Sequence, residues 1–341
     1  MKSFQWTGAI FVLALLHVQG STALAQNRAH TFLKTVGKFG DSELAALAKG
    51  DVITKTIDTG DKNELALMGA AWMEGTISAF LPLYRDIETF EKNLGPAKKL
   101  STPPQLSDLA GLELDSSDLK ALSNCKVEDC KINLSEETLT ELRRRVDWND
   151  PNADQKALEF IRERIFNFVR AYEEGGNSSL SVYRNESAPL VVAEEFQKLL
   201  KQSPYIQTYR PELHRYLLEY PKSKPAGASD FLYWSIIGFG PNPTLRLNHV
   251  TIYPTGEGAN ATTILVSKQL YYSRYFDTGL ELYTLLPDES RPGDGFYLIA
   301  LNRYRTDLGS GISGSIMRVG AAAGVEGAMK KTLESAQASV R

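Results

Sequence analysis

The stretch Thr244–Arg305, TLRLNHVTIYPTGEGANATTILVSKQLYYSRYFDTGLELYTLLPDESRPGDGFYLIALNRYR, decides the fold. Four segments in it are rich in Val, Ile, Leu, Tyr and Thr: Thr244–Tyr253, Ala261–Tyr272, Leu280–Leu286 and Gly295–Arg305. Turn residues separate them: Pro254, Gly256 and Gly258, then Asp277 and Gly279, then Pro287 and Pro292 to Gly295. Such spacing suits antiparallel hairpins and is too short for the crossovers that parallel strands need. After the last segment the period changes to about 3.6 residues. Ile312, Ile316, Val319, Ala322, Val325, Met329, Leu333 and Ala336 then fall on one helical face. The expected core is a twisted antiparallel sheet with a long C-terminal helix laid across it, an arrangement able to enclose an apolar cavity.

Upstream, a short helix is expected over Ser42–Lys49, capped by Asp41 or Ser42. Two strands follow around Thr59-Gly60-Asp61, at Asp51–Thr59 and Glu64–Trp72, then a helix at Thr76–Phe90. Short strands at both ends of the chain imply one sheet built from both ends. The segment between is different. Gly95–Leu114 starts rich in proline and reads as extended. Helices are expected at Ser135–Val146, Ala153–Glu174, Ala188–Lys201 and Pro211–Tyr220, the second closed by Gly175-Gly176. The class is therefore α+β with a helical insertion. The divisions are 1–25, 26–95, 96–229 and 230–341.

Residues 1–25 read as a signal peptide: Lys2 is the charged lead, Ile10–Leu16 the apolar heart, and Ala23-Leu24-Ala25 the cleavage site. No later stretch approaches the roughly 18 apolar residues of a membrane span. An exported, periplasmic or secreted protein is expected. Cys125 and Cys130 are the only cysteines. In an oxidising compartment they read as a disulfide closing a tight loop, since a redox pair is more often C-x-x-C and zinc needs two further ligands.

The net charge of −3 lacks the basic surplus of a nucleic-acid binder. H-E-x-x-H, G-x-x-x-x-G-K and G-x-S-x-G are all missing. Ser117-Asp118-Leu119-Lys120 matches S-x-x-K, but its K-T-G partner is missing. The run Gly309–Ser315, GSGISGS, reads as a break before the terminal helix, and Gly320-x-x-x-Gly324 as a close-packing motif. No cofactor or metal is expected.

Strict alternation places His249 with Leu245, Leu247, Thr251 and Tyr253, and Lys268 with Ile264, Val266, Leu270 and Tyr272. Arg303 shares a face with Tyr297, Ile299 and Leu301. A cation on an apolar strand face either snorkels at a sheet edge or points into a cavity towards an anion. The leading expectation is a hydrophobic or amphiphilic small molecule held between sheet and C-terminal helix. Lys268 and Arg303 would meet its acidic head, with His249, Tyr272 and Tyr283 lining the pocket. The rival expectation is an enzyme with His249 as general base and Lys268 or Tyr271 polarising the substrate. A third is an interaction module acting through the helical insertion, with a protein partner.

Several strings occur together: DIETFEKN (Asp86–Asn93), PPQLSDLAGLELD (Pro103–Asp115), CKVEDCKINLS (Cys125–Ser135), RRRVDW (Arg143–Trp148), FLYWS (Phe231–Ser235), NHVTIY (Asn248–Tyr253) and SKQLYYSRYF (Ser267–Phe276). With these the chain resembles a family of exported bacterial proteins of unassigned activity. That family pairs C-x-x-x-x-C with a following Lys-x-x-Leu element, here Lys131–Leu134, and has a histidine where this chain has Arg274. The departure at Arg274 weakens any catalytic role there. The order strands, helix, sheet, terminal helix also resembles the START-type helix-grip fold, whose members hold sterols, lipids or polyketides between the sheet and the last helix.

Overall fold

The computed structural model describes residues 27–238, 242–256, 261–306 and 311–340, with side chains at all of these except 311–317. The expected signal peptide, Gly258, Gly309, Ser310 and the side chains of Ile312 and Ile316 lie outside the described residues, and from Gly311 on the GSGISGS run is already helix rather than a break before it.

Helices α1 (Arg28–Thr35) and α2 (Asp41–Ala48) lead into the hairpin β1 (Ile53–Ile57) and β2 (Glu64–Glu74). Next come α3 (Ile77–Arg85), α4 (Ile87–Phe90) and β3 (Ala97–Lys99). The middle of the chain holds α5 (Ser116–Asn124), α6 (Glu136–Arg145), α7 (Ala153–Gly175), the small strands β4 (Val182–Tyr183) and β5 (Leu190–Val191), then α8 (Val192–Lys201), α9 (Pro204–Tyr209) and α10 (Pro211–Glu219). It closes with β6 (Ser229–Ile237), β7 (Thr244–Thr255), β8 (Thr262–Tyr272), β9 (Thr278–Pro287), β10 (Gly295–Arg305) and α11 (Gly311–Ser339).

Eight strands form one sheet in the order β1-β2-β10-β9-β8-β7-β6-β3, every neighbour antiparallel. The N-terminal hairpin joins the C-terminal meander through β2 and β10, where Ala70 pairs with Ile299. One sheet is thus built from both ends of the chain, as the sequence implies. The helix expected over Thr76–Phe90 is split at Asp86, whose side chain caps α4. α1 and α5, not foreseen in the sequence, are each capped by an Asn or Asp side chain, Asn27 and Asp115.

Helix α11 lies on one face of the sheet, where Val325, Met329, Leu333 and Ala336 join Leu67, Ala71, Leu265, Leu298 and Ala300 in one core. Its close approach requires Gly69 on β2. A Cβ there would come within 2.7 Å of Leu333 Cδ1 and 2.8 Å of Met329 Sδ. The expected apolar stripe does not reach the sheet along its whole length, because Val319 is 71% exposed. Gly320 makes no close contact either, since a Cβ there meets nothing within 4 Å.

The opposite face is equally buried. α1, α2, α8 and α10 cover its β2, β10, β9 and β8 side, and α5, α6 and α7 its β6 and β7 side. This is why β7, β8 and β10 are buried at nearly every position. The disulfide Cys125–Cys130 is formed, with Cα atoms 4.4 Å apart, and its loop is tied down by Cys130 N–H donating to Asn185 O. Directly after it, Asn133 Nδ2 donates to Tyr272 O and Phe276 O, clamping this segment to the end of β8.

Candidate functional site

The register of β7 against β8 decides what lies where. Leu247 pairs with Tyr271, but the next residue, Asn248, pairs with Gln269. The unpaired Leu270 is a β-bulge, and it reverses the alternation beyond it. Lys268 therefore faces the helical middle of the chain, while Tyr272 faces α11. The expected site divides into two groups separated by the sheet: Lys268, His249 and Arg303 on one side, Tyr272 and Tyr283 on the other.

On the side away from α11, Lys268 is 1% exposed and, among the described residues, has no carboxylate beside it. Its Nζ donates to Asn177 Oδ1 and, at 3.4 Å, to the Tyr172 hydroxyl, and lies 4.2 Å from the centroid of the Phe196 ring. Burial pushes the Lys268 ammonium well below its ordinary value. His249 Nδ1 is 2.9 Å from Tyr172 Oη. His249 Nε2 is 3.3 Å from Asp230 Oδ1, within ion-pair distance but poorly aligned for a hydrogen bond. Burial lowers the His249 pKa, and this outweighs the opposing pull of Asp230. Arg303 is paired with Glu64 and caps the end of α8 through Gln202 O. These three residues line neither of the two cavities described below. They are interior polar links between the sheet and α7, α8 and α10. Arg274 likewise pairs with Asp118 at 2.6 Å, joining the end of β8 to α5.

On the α11 side there is a cavity of about 290 Å³ between the helix, the sheet and the chain around α4. Its floor is an ion cluster. Arg246 donates from Nη2 to Glu91 Oε1 at 2.5 Å, from Nη1 to Glu281 Oε1 at 3.2 Å and from Nε to Ser235 Oγ at 2.7 Å. The Tyr233 hydroxyl donates to Glu91 Oε1 at 2.7 Å and that of Tyr304 to Glu281 Oε1 at 2.9 Å. Two buried oxygens of the lining residues, Glu91 Oε2 and Asn302 Oδ1, have no hydrogen-bond partner among the described residues. The walls are Tyr84, Phe90, Tyr272, Phe276 and Tyr283, and α11 supplies Gly324, Val325, Ala328 and Met329.

The electrostatics are those of a dry, charged pocket. Burial works against the Arg246 charge, but Glu91, Tyr233 and Glu281 outweigh it and hold the guanidinium above its ordinary value. Burial pushes the Glu281 carboxyl up, with Arg246 opposing. Burial also raises the hydroxyls of Tyr84, Tyr233 and Tyr304 well above their ordinary range, so they remain neutral donors. Glu91 is held here by the turn after α4, which closes against β6. At Gly95 any Cβ would fall 1.9 Å from Ile236 O, so only glycine permits that approach.

A second cavity, of about 530 Å³, opens between α6, α7 and the start of β7, lined by Ile165, Phe168, Tyr183, Leu247 and Tyr271. Tyr271 is thus separated from His249 as well. The charged groups of this cavity, Arg164 and Glu137, are paired with each other at 3.2 Å, so no unpartnered charge points into it. Among the described residues no group of three or more His, Cys, Asp or Glu side chains could hold a metal ion, and no helix is long and apolar enough to cross a membrane.

Of the α11-side lining, only Tyr272 and Tyr283 were expected from the sequence as ligand contacts. Arg246, Glu281 and Glu91 went unremarked, although two of them are charges inside strands. Their signal was an isolated Arg in TLRL and an isolated Glu in LELYTLL. No protein-family model, curated protein or solved structure matches this chain.

Proposed function

We propose that the protein binds a compact amphiphilic molecule in the cavity between α11 and the sheet. The observation that carries this reading is a pair of buried, unpartnered oxygens, Glu91 Oε2 and Asn302 Oδ1, on residues lining an aromatic-walled cavity. Buried polar atoms are nearly always satisfied, so two unmet acceptors on the lining of one cavity favour an occupant there. The volume is at the small end of ligand pockets, which run from about 300 to 1,000 Å³. It suits a small molecule with one apolar end better than a two-chain lipid. The helix-on-sheet order resembles that of START-type proteins, and their use of this space adds support by analogy.

The same reading puts the protein outside the cytoplasm. Its supports are the leader-like residues 1–25 and the Cys125–Cys130 disulfide. The enzyme reading built on His249 and Lys268 gains no support, since neither lines a cavity described above. Nor does the interaction-module reading gain any: among its described residues the exposed large apolar side chains are only Leu106, Val182, Tyr209 and Leu218.

The test is solvent extraction of the purified, exported protein followed by mass spectrometry, beside an Ala328→Trp variant that fills the cavity from α11. A compact amphiphile recovered from the wild type and lost from the folded variant is expected. Identical extracts from the two proteins, or none from either, would count against the site.

A further inference from the structure

We infer that the occupant of the α11 cavity is an organic cation, a protonated amine whose N–H groups face Glu91 and Asn302 and whose apolar end lies along α11. This rests on the reading of that cavity as a ligand site and names the chemistry the site selects. The main donors of the floor are already engaged. Arg246 gives its N–H groups to Ser235, Glu281 and Glu91, and the hydroxyls of Tyr233 and Tyr304 go to the same two carboxylates. Asn302 turns its Nδ2 to the Tyr304 hydroxyl at 3.1 Å, which leaves its oxygen free. The two buried polar atoms of the lining that lack a partner are both acceptors, and a ligand that meets them must bring donors.

Charge points the same way. One guanidinium stands against two carboxylates, so the floor carries a formal surplus of one negative charge. A carboxylate or phosphate ligand would enter against that surplus and leave both acceptors unmet. A neutral alcohol would satisfy an oxygen and leave the charge in place. An ammonium does both. Around it stand the rings of Tyr84, Tyr233, Tyr272, Tyr283 and Tyr304, whose electron-rich faces attract cations. The cation at the mouth, Lys331, is exposed on α11, where water and salt screen it.

The experiment compares octylamine, octanol and octanoate by titration calorimetry on the full wild-type protein in one buffer near neutral pH. Octylamine should bind at least about 10-fold more tightly than octanol, with octanoate the weakest, the order that charge-assisted hydrogen bonds predict. Glu91→Gln should cut octylamine affinity by about 10-fold and leave octanol within about 2-fold. Should that variant not fold, the three-ligand order in the wild type decides alone. Octanol or octanoate binding as well as octylamine would overturn the amine assignment and leave the cavity as the site. No binding by any of the three would overturn both.

Discussion

Arg246 and Glu91, 155 residues apart in sequence, meet at 2.5 Å beneath α11, each nearly excluded from solvent. The contact joins the middle of the sheet to the turn after α4 and sets the floor of the cavity. A buried ion pair is a weak source of net stability, but breaking one strands its partner. Arg246→Met should therefore destabilise by about 3–5 kcal/mol in urea unfolding, and adding Glu91→Gln with Glu281→Gln should recover much of that loss. A loss under about 1 kcal/mol for the single variant would mean the carboxylates find other partners.

The seat of α11 depends on the missing side chain at Gly69. Replacing it with valine forces atoms into Leu333 and Met329, which already stand 2.7 and 2.8 Å from the position a Cβ would take. The expected cost is about 1–3 kcal/mol, with loss of near-ultraviolet circular dichroism from the tyrosines under the helix. Unchanged stability would show that α11 shifts freely over β2.

Lys268 carries a pH dependence whose sign is fixed by the direction of its shift. Burial lowers its folded pKa, whereas the unfolded chain titrates at about 10.4. Between the two values the unfolded chain holds a proton that the folded chain does not, so wild-type stability rises with pH across that window by up to about 1.4 kcal/mol per unit. Lys268→Met removes that slope at the expense of an unpaired Asn177 Oδ1. Its stability relative to wild type should thus be highest near pH 7 and decline towards pH 9.5. Parallel profiles in urea titrations would show that Lys268 stays charged in the fold.

His249 acts in the same direction at lower pH. Its folded pKa is depressed by burial, so its contribution is complete above about pH 6.5 and is lost as pH falls towards the folded value. His249→Gln should flatten the stability profile between pH 7 and 5.

Cys125 and Cys130 close a short loop, for which chain entropy gives about 2 kcal/mol. The double serine variant should lose about that much, and the folded exported protein should show no titratable thiol. Two free thiols would contradict the bond.

The hairpins and the terminal helix were legible because their periods are unbroken: period 2 through Ile264, Val266 and Lys268, and period 3.6 through Val325, Met329 and Leu333. The union of both chain ends followed from the strands at each end. Sidedness was not legible, for two physical reasons. Both faces of the sheet are buried, so the usual contrast of apolar inside and polar outside vanishes in β7 and β10. The bulge at Leu270 then moves Tyr272 off the face of Lys268, and nothing in KQLYY announces it. Lys268 drew attention as a cation among apolar residues, yet its environment is a polar link to Asn177 and Tyr172. Arg246 had the same signature in TLRL and is the one that reaches a cavity.

The most direct test of the central claim is solution NMR of the tyrosine-labelled protein, titrated in parallel with octylamine and octanol. The account predicts ring shifts at Tyr84, Tyr233, Tyr272, Tyr283 and Tyr304, beneath α11, while Tyr172 and Tyr216 on the other face stay still. Shifts centred on Tyr172 and Tyr216, or no ring shifts with either compound, would contradict it.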